Sequence, residues 1–427
     1  MMETLIEHKY LLLILASFGL IQIFLYWLIY LNICHLKIHR SVIPPDFVGY
    51  IDQTLLLTTQ NYMIDKTGFG IFSSIFSNIL TIIFIFGGLL DYYNTWIVSF
   101  NLGFIPAGIL FFILLSLASS ILSVPFDLYN IFKIEQRYGF NTMSIGLWVK
   151  DFIKSIIIST IIYCILAGIA FYVIISFPNY WWILVWGTVL FFSLLIMYIS
   201  PYVIEPLFNK FTPLTDEKGL KEGIENLLAK TGLKVSKILK VDASKRSKHS
   251  NAYFTGIGKV KRIVLYDTLL ETMTKGEILS ILAHELGHWK KKHLIKYLIV
   301  FESLTLVFFY EAKSIMDWHG LTEIFGVNQP TFYAKIIIIG FLAGIILFPF
   351  TPLTNFLQRR NEKEADQISL ELTGNKEDMI STLVKLSKDN LSNLHPHPLY
   401  AMFHYSHPPV LERIASIREI NIQPVDN

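Results

Sequence analysis

Five consecutive residues carry the sharpest chemical signal in the chain: His284-Glu285-Leu286-Gly287-His288. On a helix the two histidines stand four residues apart and project from one face, so two imidazoles can grip a single metal ion. The neighbours predict that helix, because Ile278, Leu279, Leu282 and Leu286 recur at its spacing. Gly287 costs such a helix about 1 kcal/mol relative to alanine, a penalty that the close approach of another backbone would explain. Glu285 lies beside the metal without being needed as a ligand. It is placed to take a proton from water and pass it to a departing amine. Chance alone produces an H-E-x-x-H in roughly one chain per hundred of this length, so the motif needs support elsewhere.

A catalytic zinc takes a third protein ligand and keeps one position open for water. The candidate segment is Arg359-Arg360-Asn361-Glu362-Lys363-Glu364-Ala365-Asp366. Taken alone, such a run reads as a solvated helix face. Beside the first motif, Glu362 is the ligand, and Asp366, four residues on and on the same face, is set to hydrogen-bond a ligand histidine. Glu364 points elsewhere and is the weaker choice. Mixed His/His/Glu ligation suits one Zn²⁺ per chain better than copper or an iron–sulfur cluster. Zinc lowers the pKa of a bound water to about 7 and polarises a carbonyl.

The elements that position these residues are set by a bilayer. Of 427 residues, 53% are hydrophobic and only 16% charged, against about 25% charged in a soluble chain. Disorder is excluded. The two cysteines, Cys34 and Cys164, exclude a disulfide scaffold, and a net charge of +3 gives no reason for a nucleic-acid partner. Seven segments reach the length needed to cross the hydrocarbon core: Tyr10–Leu31, Gly68–Leu90, Asn101–Phe126, Ser155–Phe177, Trp181–Tyr202, Leu294–Tyr310 and Ala334–Thr354. The first reads as a retained span, not a signal peptide, since its flank mixes acid with base and no A-x-A site follows. An odd number of spans puts the termini on opposite sides. The side holding residues 32–67, 127–154, 203–293 and 355–427 carries 32 of the 36 Lys and Arg, which predicts that it is cytoplasmic.

The expected architecture is an all-α multi-pass membrane protein with a small α+β zinc metallopeptidase region on the cytoplasmic face. Its parts are residues 1–202 (five spans), 203–293 (a polar insert), 294–354 (two spans) and 355–427 (a polar tail). Within the insert, Gly219–Thr231 and Lys275–Lys292 read as helices, and Ile238–Val241, Ala252–Gly256 and Arg262–Leu265 as strands. His293 is read as a continuation of the zinc helix at an interface, off the ligand face. His395-Pro396-His397-Pro398 has metal-binding composition but reads as a rigid extended loop. Pro106, Pro349 and Pro352 are expected to kink spans. Glu302 inside span six must face either a polar space or an interhelical hydrogen bond.

Beyond the metal motif, several segments resemble the type I CaaX prenyl endopeptidases, multi-spanning zinc metalloproteases that process farnesylated precursors. The resemblance is carried by the stretch from Phe132 to Asn141, by Ser250-Asn251-Ala252-Tyr253-Phe254, by the stretch from Lys261 to Leu270, and by His404-Tyr405-Ser406-His407-Pro408-Pro409 with Leu411-Glu412-Arg413. It implies zinc ligands His284, His288 and Glu362, with Glu285 as base, and Asn251 and His407 stabilising the oxyanion. It further implies that Asn251, Ala252, Tyr253 and Phe254 hold the peptide by edge pairing, and that the seven spans enclose a chamber. Asn361, Lys363 and Glu364 depart from the family's mostly aromatic or neutral residues. The partners so implied are a lipid bilayer and a prenylated or hydrophobic peptide. The last residues offer no dilysine signal, which leaves a bacterial plasma membrane and a eukaryotic endomembrane both open. Two other readings stand beside this one: a membrane quality-control protease without prenyl specificity, and a seven-span transporter or receptor with an incidental motif. The absence of matching halves and the placement of ionisable clusters outside the spans argue against the transporter.

Overall fold

A computed structural model describes residues 2–215, 219–256 and 261–421. The first part is helical: α1 (Met2–Ile38), α2 (Gln53–Phe86), a short α3 (Leu89–Ser99), α4 (Phe104–Tyr129), α5 (Ile145–Ser176) and α6 (Trp181–Ile199). The insert follows with α7 (Glu205–Phe208), β1 (Phe211–Pro213), α8 (Leu220–Thr231), β2 (Lys237–Val241), β3 (Ala252–Thr255), β4 (Arg262–Tyr266), α9 (Asp267–Thr272) and α10 (Lys275–Lys290). Then come α11 (His293–Met316), α12 (Gly320–Ile324), α13 (Phe332–Leu347), α14 (Thr351–Thr373), α15 (Lys376–Asp389), α16 (Pro398–His404) and α17 (Val410–Glu419).

Seven helical segments among the described residues are long and apolar enough to span a membrane, and each contains most of a predicted span. Several run further than hydropathy suggests. α2 begins at Gln53 and α5 at Ile145, while α1 continues to Ile38 and α4 passes through a π-helical turn to Glu135. These extensions all lie on the side of the polar insert and tail. Hydropathy registers only the part of a helix that sits in hydrocarbon, whereas its polar continuation is fixed by tertiary contacts. In none of the spans is more than 17% of the most apolar stretch buried; buried residues of α2, α4, α5, α11 and α13 gather in one shared cluster.

The boundary drawn at 354/355 falls inside α14, which continues the line of the seventh span. The expectation of a kink needs correction at Pro106, whereas Pro349 does interrupt its span. Pro106 sits in the first turn of α4, where a missing N–H costs nothing, and the proline within that helix is Pro125. Pro349 lies in the 3₁₀ turn between α13 and α14, and Pro352 in the first turn of α14. Glu302 is buried; its carbonyl accepts a hydrogen bond from Trp186 Nε1 at 2.9 Å, and neither carboxylate oxygen has a hydrogen-bond partner among the described residues. This bond between α6 and α11 therefore runs from the Trp186 indole to the Glu302 backbone carbonyl, not to its carboxylate.

Four strands form a sheet in the order β1-β2-β4-β3, with β2 and β4 parallel and the outer pairs antiparallel. β1 escaped the sequence reading because it is three residues long and ends in Pro213, a residue a sheet tolerates only at an edge. β3 is the opposite edge. Ile263 and Leu265 of β4 face one core with Ile278, Leu282 and Leu286 of α10 and Ile368 and Leu372 of α14. Each such buried side chain contributes about 1.5–3 kcal/mol. The insert and the tail, distant in sequence, thus share one interior. α10 starts at a capping box, in which Thr274 accepts from the Glu277 N–H and Glu277 accepts from the Thr274 N–H.

Candidate active site

α10 presents His284 and His288 on one face, and α14 presents Glu362 opposite them. The two Nε2 atoms are 3.2 Å apart. His284 Nε2 lies 3.3 Å from one Glu362 oxygen and His288 Nε2 lies 3.3 Å from the other. Among the described residues this is the one group of three or more such side chains gathered closely enough to hold a metal. Donors about 2.0–2.2 Å from a tetrahedral zinc are separated by roughly 3.3 Å, so the spacing fits. Glu362 Oε2 is buried, makes no well-formed hydrogen bond among the described residues, and has His284 Nε2 beside it at 3.3 Å, an arrangement that suits a shared metal better than a direct bond.

The approach of the two helices depends on Gly287. A Cβ there would meet the Ala365 backbone at 2.9 Å, which is the close contact anticipated from the sequence. Asp366, one turn beyond Glu362, has its Oδ1 2.8 Å from His284 Nδ1. Arg413 of α17 grips that carboxylate with both Nε (2.9 Å) and Nη2 (2.6 Å). Burial alone would lower the pKa of His284, but the carboxylates of Asp366 and Glu362 outweigh it and hold the metal-free imidazole at about 9. Burial raises Glu285 above the ordinary glutamate value, offset in part by the two histidines. A carboxylate raised in this way is better matched to proton transfer near neutrality.

A cavity of about 350 Å³ opens on this group, lined by Asn251, Ala252, His284, Glu285, His407 and Arg413 among others. His407, between α16 and α17, reaches in with Nε2 3.4 Å from Glu362 Oε1. Asn251 stands at the head of β3, its Oδ1 accepting from the Ala252 N–H. The side chains of β3 are already engaged: Ala252 and Phe254 pack on the core, and the Tyr253 hydroxyl donates to Glu205 at 3.0 Å. What the strand leaves open is its backbone edge.

One expectation changes and another holds. His293 is not on the zinc helix: α10 ends at Lys290, the chain reverses through Lys292 at φ +57°, and His293 opens α11 fully buried. Its position could not be read from periodicity because the break is at a lysine. The His395–His397 loop is spent on structure. His395 Nε2 lies 3.1 Å from the Val42 carbonyl, His35 Nδ1 lies 3.0 Å from the His395 carbonyl, and His397 caps α16. The segment after the third span also acquires a place. Glu135 accepts from Tyr62 (2.8 Å) and Lys66 (3.1 Å) and lies 3.3 Å from His249 Nε2, two residues before Asn251. Arg413 has no role that sequence could assign, because nothing in spacing links it to Asp366, 47 residues away.

Residues 32–210 match the family described as CAAX prenyl protease N-terminal, five membrane helices, and residues 214–421 match peptidase family M48. The chain is 33% identical over 429 residues to a CAAX prenyl protease 1 homolog of Homo sapiens, covering 88% of each. It is 35% identical over 395 residues to one of Arabidopsis thaliana, covering 88% of this chain and 90% of that one. The crystal structure of S. mikatae Ste24p superposes with a TM-score of 0.87 at 30% identity, covering 96% of this chain and 98% of that chain. With both of its halves matched and a third of its residues shared with relatives along nearly the whole length, the chain belongs to peptidase family M48 and is a multi-pass membrane metallopeptidase.

Proposed function

We propose that the chain is a zinc endopeptidase that cleaves near the C-terminus of prenylated CaaX-type peptides at the cytoplasmic face of its membrane. The observation that carries the reading is the triangle of His284, His288 and Glu362 beside a cavity that also holds Glu285. The names of the relatives, CAAX prenyl proteases, supply the substrate class. The Lys/Arg bias supports the cytoplasmic side. The sparse burial in the spans accords with an enclosed chamber, and residues 1–202, 203–293, 294–354 and 355–427 remain a working division of labour.

His284, His288 and Glu362 hold the metal, and Asp366, clamped by Arg413, orients His284. Zn²⁺ bound there would acidify a water and polarise the scissile carbonyl. Glu285 takes the proton of the attacking water and returns it to the leaving amine. His407 and Asn251, which both line the cavity, stabilise the developing oxyanion. The free edge of β3 pairs with the peptide in extended form, so main-chain bonds give affinity while the lipid partitions among apolar spans.

The test is cleavage by the purified protein of a farnesylated CaaX peptide against the same peptide unmodified and against an unrelated hydrophobic peptide. Preference for the farnesylated peptide supports the proposal. Equal cleavage of all three moves the assignment to a quality-control protease with the same chemistry.

A further inference from the structure

His293 is the buried group at the site that the proposed chemistry leaves unused. Its Nδ1 lies 3.0 Å from Nδ1 of His288, and its Nε2 lies 3.3 Å from Glu364 Oε2 on α14. The His288 and His293 rings are 5.1 Å apart and nearly perpendicular, at 75°. Only 1% of the His293 side chain is exposed, so water cannot replace either partner.

The order of protons along this chain follows from its two ends. His288 Nε2 faces Glu362 and His284, so as a ligand it offers a lone pair there and carries its proton on Nδ1. Among the described residues that N–H has one acceptor within reach, the Nδ1 lone pair of His293. His293 then carries its proton on Nε2 and donates it to the Glu364 carboxylate, which Arg360 flanks at 3.6 Å. Each nitrogen has one role. The backbone is bent to make this possible: Lys292, with φ +57° and ψ +35°, is one of three non-glycine residues with positive φ among those described. Such conformations survive where the surroundings over-determine them.

We propose that His293, oriented by Glu364, is the positioning residue for His288, fixing the tautomer and ring angle in which Nε2 faces the metal. The inference rests on the metal site proposed above. α14 would then govern all three ligands: Glu362 directly, His284 through Asp366, and His288 through Glu364 and His293.

The test is zinc retention by the purified full-length protein in competition with a chelator, for wild type, His293→Phe, His293→Asn and Glu364→Ala. Asparagine can set its Oδ1 near the position of the imidazole Nδ1 and accept the His288 proton; phenylalanine fills the space and accepts nothing. Positioning predicts zinc affinity about 10–100-fold weaker in His293→Phe, largely restored in His293→Asn, and weakened to a lesser degree in Glu364→Ala. A packing role predicts the reverse order, with phenylalanine equal to wild type and the smaller asparagine worse; that order overturns the proposal. If His293→Phe fails to fold, Glu364→Ala decides on a partly exposed residue: wild-type zinc affinity there overturns it. A wild-type protein that takes up no zinc removes the metal site itself, whereas zinc in wild type and unchanged affinity in the variants removes only the role of His293.

Discussion

A Cβ on Gly287 would stand 2.9 Å from the Cα of Ala365 and 3.0 Å from its carbonyl oxygen. This contact sets the distance between the helix that carries two ligands and the helix that carries the third. Gly287→Ala gains about 1 kcal/mol of helix propensity, but forcing a methyl into this contact costs about 1–3 kcal/mol and parts the helices. Zinc affinity is expected to fall by about tenfold or more, since 1.4 kcal/mol is a factor of ten. Metal content after dialysis against a weak chelator checks this, and wild-type retention would show that the helices can shift without disturbing the ligands.

Asp366 sits between His284 and Arg413, and its two oxygens are shared between them. Asp366→Asn keeps the shape but loses the charge, and is expected to weaken zinc binding by about 10–100-fold. Arg413→Ala leaves a buried carboxylate without its cation, a loss of about 3–5 kcal/mol that thermal unfolding in detergent will register as a lower Tm. Arg413→Lys should fall between, because an ammonium cannot reproduce the two-point grip.

Much of this site was legible in the sequence, and the reason is local geometry. His284 and His288, and Glu362 and Asp366, are each paired by the four-residue repeat of a helix, which needs no tertiary information. Three of the four strands of the insert, β2, β3 and β4, are legible to within about a residue because β-branched and aromatic residues cluster there, whereas the short β1 is not. Arg413 and His293 were not legible as partners of the site. Arg413 meets Asp366 from another helix, and His293 returns to His288 only because the chain breaks at Lys292, a residue with no turn signature. The helix lengths beyond the membrane failed for a related reason: the polar ends of α2 and α5 are held by packing, which hydropathy does not report.

Glu277 ties the start of the zinc helix to the tail through Lys385 at 2.8 Å and Ser381 at 2.5 Å. Burial would raise its pKa, but Lys385, Ser381 and the Thr274 N–H together hold it below the ordinary value. A carboxyl lowered on folding stabilises the fold fully above its unfolded pKa of about 4.3, and that stability is lost as pH falls below this value toward the lowered one. Glu277→Gln is therefore expected to lower Tm at pH 7 and to match wild type more closely as pH approaches 3. A difference in Tm that stays constant across the range would remove the ionic explanation.

Lys292 holds a left-handed conformation without a side-chain cap. Lys292→Gly is expected to stabilise the fold by up to about 1 kcal/mol by removing that strain, with zinc affinity unchanged because the turn keeps its shape. Lys292→Val should be destabilising and should loosen the metal, since a β-branched residue resists positive φ and His293 would be displaced. Chemical denaturation and chelator competition on the same samples read both effects.

The central claim is that Glu285 performs the proton transfer at a zinc held by His284, His288 and Glu362. Its most direct test is the cleavage rate of a farnesylated CaaX peptide by wild type and Glu285→Gln, with zinc measured in both. The expected result is one zinc per chain in each and a rate about 10²–10⁴-fold lower in the variant, the range removed with a general base. A variant that retains zinc and cleaves at the wild-type rate would contradict the claim.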